Sequence, residues 1–178
     1  MKNDIINHLF LKGAISGAIL DASSPEAILH AYKYYDAIRK SNTDVDNIAN
    51  NTNFTRDQIL MVKNYIFFDE HKLENGYQRF EPDFFMAQSW QRLAFDAKNI
   101  QPHDLMLIKH ELYEMTLVAQ GIPYQEAHIK SNEAGNNYEK MCKEFYDSKK
   151  ENNKDNKEIQ KNIKENKNGQ NISDDDNR

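Results

Sequence analysis

The chain has 178 residues, of which 39% are hydrophobic and 11% aromatic, and its formal net charge is −5. This length predicts one domain, and the composition is sufficient for a hydrophobic core. The single cysteine, Cys142, excludes an intramolecular disulfide framework and a cysteine-based zinc finger. The acidic balance disfavours a general nucleic-acid-binding surface but leaves room for a small basic cleft.

The two ends of the chain differ in composition from its middle. Residues 147–178 hold three large apolar residues, and their eight Lys/Arg balance their eight Asp/Glu. Such a segment buries too little surface to offset its ordering entropy, so we expect a disordered polar tail. Residues 1–22 include "HLFLKGAISGAIL", which is too short to span a bilayer and favours an amphipathic helix. No membrane partner is expected. The protein is expected to be cytoplasmic, or else associated with a virion or delivered by a route that needs no signal peptide.

The middle of the chain is expected to be all-α. Pro25, Pro82, Pro102 and Pro123 each lie where a helix could begin, and Gly121 is placed to end one. Convincing strand alternation is absent. We therefore expect a compact bundle of about six helices over residues 23–146, with a loop or hairpin near residues 72–82.

The segment "VDNIANNTNFTRDQILMVKNYI" has the spacing of a helix-turn-helix. Asn53 could take the left-handed turn conformation, and the second helix would start at Thr55. A DNA-reading helix needs basic neighbours, but this one has only Arg56 and Lys63 among several Asp residues. A helical corner that packs the core is the favoured interpretation.

The run "KHELYEM", residues 109–115, resembles the His-Glu-x-x-His motif of zinc peptidases, with Glu114 in place of the second histidine. On a helix, His110 and Glu114 are neighbours at positions i and i+4. They lie opposite a predicted core stripe formed by Leu105, Ile108, Leu112, Met115 and Ala119. Because their flanks are also apolar, we expect a polar pair inside an apolar surround, where pKa values shift.

Several polar residues elsewhere could join this pair. An antiparallel turn at residues 121–123 would bring His128 towards His110. His71 and Arg79 flank a loop at Gly76. Arg92 is predicted to point away from the core stripe of its own helix, which consists of Met86, Trp90, Leu93 and Ala97.

Three interpretations of this constellation stay open. In the first, His110, Glu114 and His128 bind zinc or another divalent metal, with Glu111 as general base. In the second, no metal or cofactor is needed. His110 acts as general base and His128 or His71 as general acid, Glu111 and Glu114 orient them, and the phosphate contacts are Arg79, Arg92 and Lys109. In the third, the His–Glu pair is a satisfied structural contact.

A series of short motifs runs through the middle of the chain: Glu70–His71, Arg79–Phe80–Pro82, Trp90–Arg92–Leu93, His110–Glu111–Glu114 and Ala127–His128. This series resembles a helical domain found at the C-terminus of phage minor-head (head-morphogenesis) proteins and of bacterial polymorphic toxins. The resemblance covers roughly residues 24–146. Tyr65 departs from it, standing where a histidine is common, and "GNNYEK" replaces a YNY motif.

This resemblance implies a toxin-like effector domain of phage or mobile-element origin. A domain at the end of a toxin is expected to be an effector enzyme, often a nuclease. A phosphodiester hydrolase acting on a nucleic-acid substrate is therefore the favoured expectation. A metal-dependent hydrolase with an HExxE site, which could be a peptidase, is the nearest alternative. A non-enzymatic module that docks on phage head proteins is a third, and a toxin would also have a cognate immunity protein as partner.

Overall fold

A computed structural model describes residues 21–170, without the side chains of residues 157, 162 and 164–170. The N-terminal helix predicted over residues 1–22 lies outside this range. The described part contains seven α-helices, a short 3₁₀ turn and one β-hairpin, a mostly α-helical fold as predicted. The elements are α1 (Pro25–Lys40), α2 (Asp44–Asn51), α3 (Arg56–Phe67), β1 (His71–Leu73), β2 (Gly76–Gln78), α4 (Phe84–Phe95), the 3₁₀ turn (Ala97–Asn99), α5 (Pro102–Ala119), α6 (Tyr124–Glu133) and α7 (Tyr138–Gln170).

The helix boundaries follow the local signals in the sequence. Helices α1 and α5 begin at Pro25 and Pro102, where the missing N–H costs nothing. Helix α6 begins directly after Pro123. Gly121 has φ +86°, the left-handed conformation that ends a helix, and it closes α5 as predicted. These signals explain why the chain reverses direction between α5 and α6.

The predicted hairpin near residues 72–82 is present. Strands β1 and β2 pair antiparallel, with His71 opposite Gln78 and Leu73 opposite Gly76. Gly76 has φ +110°, which only glycine adopts without strain. The hairpin lies between α3 and α4 in the chain, and β1 packs against α6.

Helix α4 is the centre of the bundle and packs against α1, α2 and α5. Trp90 and Leu93 are fully buried in the main hydrophobic cluster. The predicted core stripe on this helix was too narrow. The neighbours Gln91 and Arg92 are buried as well, so α4 is enclosed on all sides.

Arg92 was predicted to point away from the core. In the structure its side chain instead points into a buried polar cluster. Its guanidinium donates hydrogen bonds to both carboxylate oxygens of Asp104, at 2.8 and 2.6 Å, and contacts His103 Nε2 at 2.9 Å. Because a buried guanidinium needs a partner of opposite charge with matching hydrogen bonds, this bidentate ion pair is the arrangement that satisfies it. The pair joins α4 to the first turn of α5.

A second buried ion pair joins α2 to α3, the two helices of the segment that has helix-turn-helix spacing. Lys63 Nζ lies 2.7 Å from Asp44 Oδ1, and Trp90 Nε1 donates to Asp44 Oδ2 at 2.9 Å. Helix α3 begins after Thr55, which caps it as predicted. The left-handed turn expected at Asn53 is wrong, since no non-glycine residue in the described range has positive φ. With Lys63 buried, the segment is a core-packing corner.

The chain divides into two compact units, residues 1–142 and 143–178. The second unit contains the whole predicted polar tail, residues 147–178, and its backbone is helical as far as Gln170. Ile159 and Ile163 are 55% and 48% exposed, so these apolar residues of the tail enter no core. None of the helices in the described range combines the length and apolar character needed to cross a membrane.

We predict that His103 makes the fold sensitive to mild acid. Burial is the main reason that its pKa falls to about 4, with the charge of Arg92 acting in the same direction and that of Asp104 opposing it. Between pH 6.5 and 4 the unfolded chain binds a proton that the folded chain excludes, so the free energy of unfolding falls as pH is lowered. We expect a loss of about 2 kcal/mol, discounted for solvent screening.

Denaturant melts of wild type and His103→Gln at several pH values measure this effect. The Gln side chain can accept from Arg92 but does not titrate, so its profile should be flatter between pH 6.5 and 4. Parallel profiles for the two proteins would contradict the prediction.

Candidate active site

The buried face of α5 is its charged face. His110, Glu111 and Glu114 are all at most 3% exposed, in register with Leu107 and Leu117. The apolar stripe predicted to be the core also packs against the main hydrophobic cluster. Ile108 is buried in the cluster and Leu105, Leu112 and Met115 pack against it partly buried, whereas Ala119 is exposed. His110 and Glu114 are therefore buried as expected, but polar groups from other segments surround them.

Helix α6 packs antiparallel to α5 and brings His128 to His110, as the turn at Gly121 predicts. Three ligand-type atoms meet there. His110 Nε2 lies 3.1 Å from His128 Nδ1 and 3.3 Å from Glu114 Oε2, and His128 Nδ1 lies 3.0 Å from Glu114 Oε2. We call these three side chains the triad. It is the one group of His, Cys, Asp and Glu side chains in the described range with metal-binding spacing.

The tautomer of His110 follows from its outer contact. Nδ1 lies 2.7 Å from the backbone carbonyl of Asn136, which can only accept, so Nδ1 carries the hydrogen. Ser131 supports the same edge, with Oγ 3.3 Å from Nδ1. In neutral His110 the lone pair is therefore on Nε2 and faces the other two triad atoms. A carbonyl behind one imidazole nitrogen is the usual arrangement for a histidine that binds metal through the other.

Glu114 and His128 also have outer partners. The Tyr65 hydroxyl donates to Glu114 Oε1 at 2.8 Å, which leaves Oε2 for the triad. His128 Nε2 is 3.3 Å from Asn132 Nδ2 and 3.6 Å from Glu139 Oε1. Each triad residue therefore has a polar partner at the ring or carboxylate atom that does not face the other two residues.

These contacts shift two pKa values. Burial by itself would raise the pKa of Glu114, but hydrogen bonds from His110, His128 and Tyr65 outweigh it and lower the pKa to about 2. The hydrogen bond to Glu114 is the main reason that the pKa of His128 is raised, against the opposing effect of burial. Glu114 is therefore an anion at neutral pH, as a metal ligand must be.

While Glu114 is ionised, no placement of protons makes all three contacts of the triad hydrogen bonds. An imidazole nitrogen either donates or accepts, never both, and a carboxylate oxygen only accepts. One hydrogen, on His110 Nε2 or His128 Nδ1, leaves two lone pairs facing each other across the third contact. Hydrogens on both nitrogens instead face each other. A cation at the centre removes the conflict, because all three atoms can then offer lone pairs.

The size of the triad fits such a cation. Ligands at 2.0–2.1 Å around a tetrahedral zinc ion lie roughly 3.3 Å from one another. The three measured separations, 3.0, 3.1 and 3.3 Å, are close to one face of that tetrahedron. Two imidazoles and one carboxylate are also a ligand set of catalytic zinc sites, in which the fourth position holds water.

Glu111 is buried beside the triad with no ion-pair partner. It is 3% exposed, and its carboxyl makes no hydrogen bond within the described residues. Burial, and next the charge of Glu114, raise its pKa well above the usual range. Its own charge contributes to raised phenol pKa values at Tyr65 and Tyr124, after the larger effect of burial at each. A carboxyl in this environment can take up or release a proton.

His71 lies next to the site but outside the triad. Its Nε2 donates to the backbone carbonyl of Tyr65 at 2.8 Å, and its ring stacks on Phe80 with centroids 4.0 Å apart. Phe80 in turn contacts Tyr124 at 5.2 Å, and Tyr124 contacts His128 at 6.1 Å. His71 thus anchors an aromatic wall beside the triad, and the role of general acid predicted for it has no geometric support.

The three predicted phosphate-binding cations lie in different surroundings. Arg92 forms an ion pair with Asp104, six residues before His110, which is about 9 Å along a helix. Arg79 is exposed, and its Nε donates to the carbonyl of Phe68. Lys109 is exposed beside the buried face of α5. The metal-free mechanism therefore loses Arg92 as a phosphate contact, and the roles of Arg79 and Lys109 stay predictions.

Sequence reasoning missed several supporting groups of the site. Tyr65 was noted only as a departure from a motif, yet it holds Glu114. Tyr124, Ser131 and the carbonyl of Asn136 were not singled out at all. The spacing of Tyr124, His128 and Ser131 on one helix could have indicated a shared face, whereas a backbone carbonyl has no sequence signal.

The chain matches no model of a known protein family, no curated protein and no solved structure. The resemblance to a phage head-protein and toxin domain therefore stays a prediction.

We predict opposite stability effects for two neutral substitutions in the metal-free protein. Glu114 has a lowered pKa, so its ionised form stabilises the fold above pH 4.5, and this is lost as pH falls towards 2. Glu114→Gln should lower the free energy of unfolding at pH 7 by about 3 kcal/mol. Glu111 has a raised pKa, which costs stability at neutral pH, so Glu111→Gln should raise it.

Urea melts at pH 7 in the presence of a chelator measure both changes, with each variant serving as the control for the other. A loss of stability in Glu111→Gln equal to that in Glu114→Gln would contradict the assignment of different charge states.

Proposed function

We propose that this protein is a metal-dependent hydrolase whose zinc or similar divalent ion is bound by His110, Glu114 and His128. The observation that carries the proposal is the triad itself. Its three ligand atoms have the spacing of a tetrahedral face, and protons cannot satisfy all three contacts while Glu114 is ionised. The carbonyl behind His110 and the hydroxyl behind Glu114 add the outer contacts that orient metal ligands.

The bound ion would lower the pKa of a water molecule in its open position and polarise a substrate oxygen. Glu111 would be the proton acceptor and donor beside it. Its carboxyl is buried, has no partner in the described residues, and follows His110 directly on the same helix. We prefer these roles to the metal-free mechanism, because Arg92 forms an ion pair with Asp104.

A toxin-like effector of phage or mobile-element origin remains our proposal for the biological role. The residues of the HExxE motif and His128, which carry the resemblance, are the residues that form the site. Phosphodiesters are the first substrates to test, because a metal ion can supply the positive charge expected earlier from Arg79, Arg92 and Lys109. Peptides are the second.

A purely structural role is the competing proposal, in which the triad joins α5 to α6. It is favoured by the outer partner that each triad residue already has within the protein. The two proposals predict different responses to metal.

We predict that the purified chain binds one equivalent of zinc. At a zinc concentration 100-fold above the dissociation constant, the fold should gain about 2.7 kcal/mol, seen as a rise in Tm of several degrees. His110→Ala and His128→Ala should lose both the binding and the shift. His71→Phe is the matched control, since it removes a neighbouring histidine that is not a ligand and should bind zinc normally.

Calorimetric titration and thermal melts with and without zinc give these quantities. Equal zinc binding by wild type and His110→Ala would reject the metal site and leave the structural role.

We further predict that Glu111→Gln separates binding from chemistry. The variant should retain zinc but lose about 100-fold or more of the hydrolysis of a model phosphodiester or a fluorogenic peptide mixture. Expressed in bacteria, wild type should slow growth and Glu111→Gln should not. Equal growth with both proteins, together with equal hydrolysis rates, would argue against an enzyme.

A further inference from the structure

Tyr124 is a tyrosine whose ring lies beside the triad residue His128. It is half-buried at the first position of α6, four residues before His128 and therefore on the same helix face. Its hydroxyl makes no hydrogen bond within the described residues. Tyr65, the other phenol near the site, donates to Glu114. The two tyrosines thus differ in whether their O–H has an acceptor.

The ring of Tyr124 is held in place. Its centroid lies 5.2 Å from that of Phe80 and 6.1 Å from those of His71 and His128. Phe80 is itself stacked on His71, which is anchored to the backbone of α3. A donor held by packing needs little reorganisation when a ligand arrives, which is what electrostatic stabilisation in active sites requires.

The surroundings of the phenol keep it a donor. Burial, and next the charges of Glu114, Glu111 and Glu139, raise its pKa. These carboxylates are near enough to act on the phenol, yet none of them accepts its hydrogen bond. The O–H is therefore available to an acceptor that enters the site from outside.

We propose that Tyr124 donates a hydrogen bond to an oxyanion bound at the metal site, either an anionic substrate or the charge that develops on its oxygen during hydrolysis. This inference rests on the proposed function, because the metal ion is what would attract the oxyanion. It assigns the two tyrosines separate tasks. Tyr65 positions a metal ligand, whereas Tyr124 contacts the substrate.

The test uses the full chain with Co²⁺ in the metal site, where visible absorption reports both metal binding and the ligand in the open position. Inorganic phosphate is the oxyanion probe. Imidazole is the control probe, because it binds the metal through nitrogen and offers no oxygen to Tyr124. Tyr124→Phe and Tyr65→Phe are the matched variants, each losing one hydroxyl and keeping its ring.

Tyr124→Phe should bind cobalt and imidazole as wild type does but bind phosphate about tenfold more weakly, the usual loss for a hydrogen bond to a charged group. Tyr65→Phe should instead lose about tenfold or more in cobalt affinity, as expected for an outer contact of a ligand. Tyr124→Leu, which also lacks the hydroxyl, should repeat the phosphate defect.

Other outcomes overturn the inference in distinguishable ways. If wild type binds cobalt but phosphate affinity is equal in wild type and Tyr124→Phe, or phosphate does not bind wild type at all, the inference fails and the metal site stands. If Tyr124→Phe loses cobalt, the residue has a structural role and the inference fails. If wild type itself binds no cobalt, the proposed function fails and the inference with it.

Discussion

Burial of the charged face of α5 is the constraint on which the rest of the structure depends. Five ionisable side chains of this helix are nearly inaccessible to solvent: His103, Asp104, His110, Glu111 and Glu114. Buried polar groups are costly unless they find partners. The neighbouring helices supply these partners, Arg92 from α4, Tyr65 from α3 and His128 from α6, so the packing around α5 is set as much by polar contacts as by apolar ones.

The two halves of this face differ in how well their buried charges are paired. At the start of α5, Arg92 and Asp104 form a bidentate pair in which charges and hydrogen bonds match, and such a pair holds two helices together. Further along the helix, protons cannot satisfy all three contacts of the triad while Glu114 is ionised. The carboxyl of Glu111 makes no hydrogen bond within the described residues. A matched network is what stability favours, and a mismatched one is typical of a binding site.

Much of the architecture could be predicted from local sequence signals. Proline and glycine positions predicted the starts of α1 and α5 and the reversal at Gly121, because backbone preferences act over a few residues. That reversal, with His110 and Glu114 one helical turn apart, was enough to expect His128 nearby. The failures concern side chains whose surroundings come from distant elements. Arg92 was expected to point away from the core because its helix was assumed to have one buried side.

The helical class, the turn between α5 and α6 and the three residues that meet across it could be predicted from the amino-acid sequence. These features depend on spacing along one helix and on a local turn. The burial of the charged face of α5, the pairing of Arg92 with Asp104, and the contacts of Tyr65 and the Asn136 carbonyl with the triad are visible only in the folded structure. Such partners come from segments up to 49 residues away, and the pairing of donors with acceptors is determined only when the helices pack.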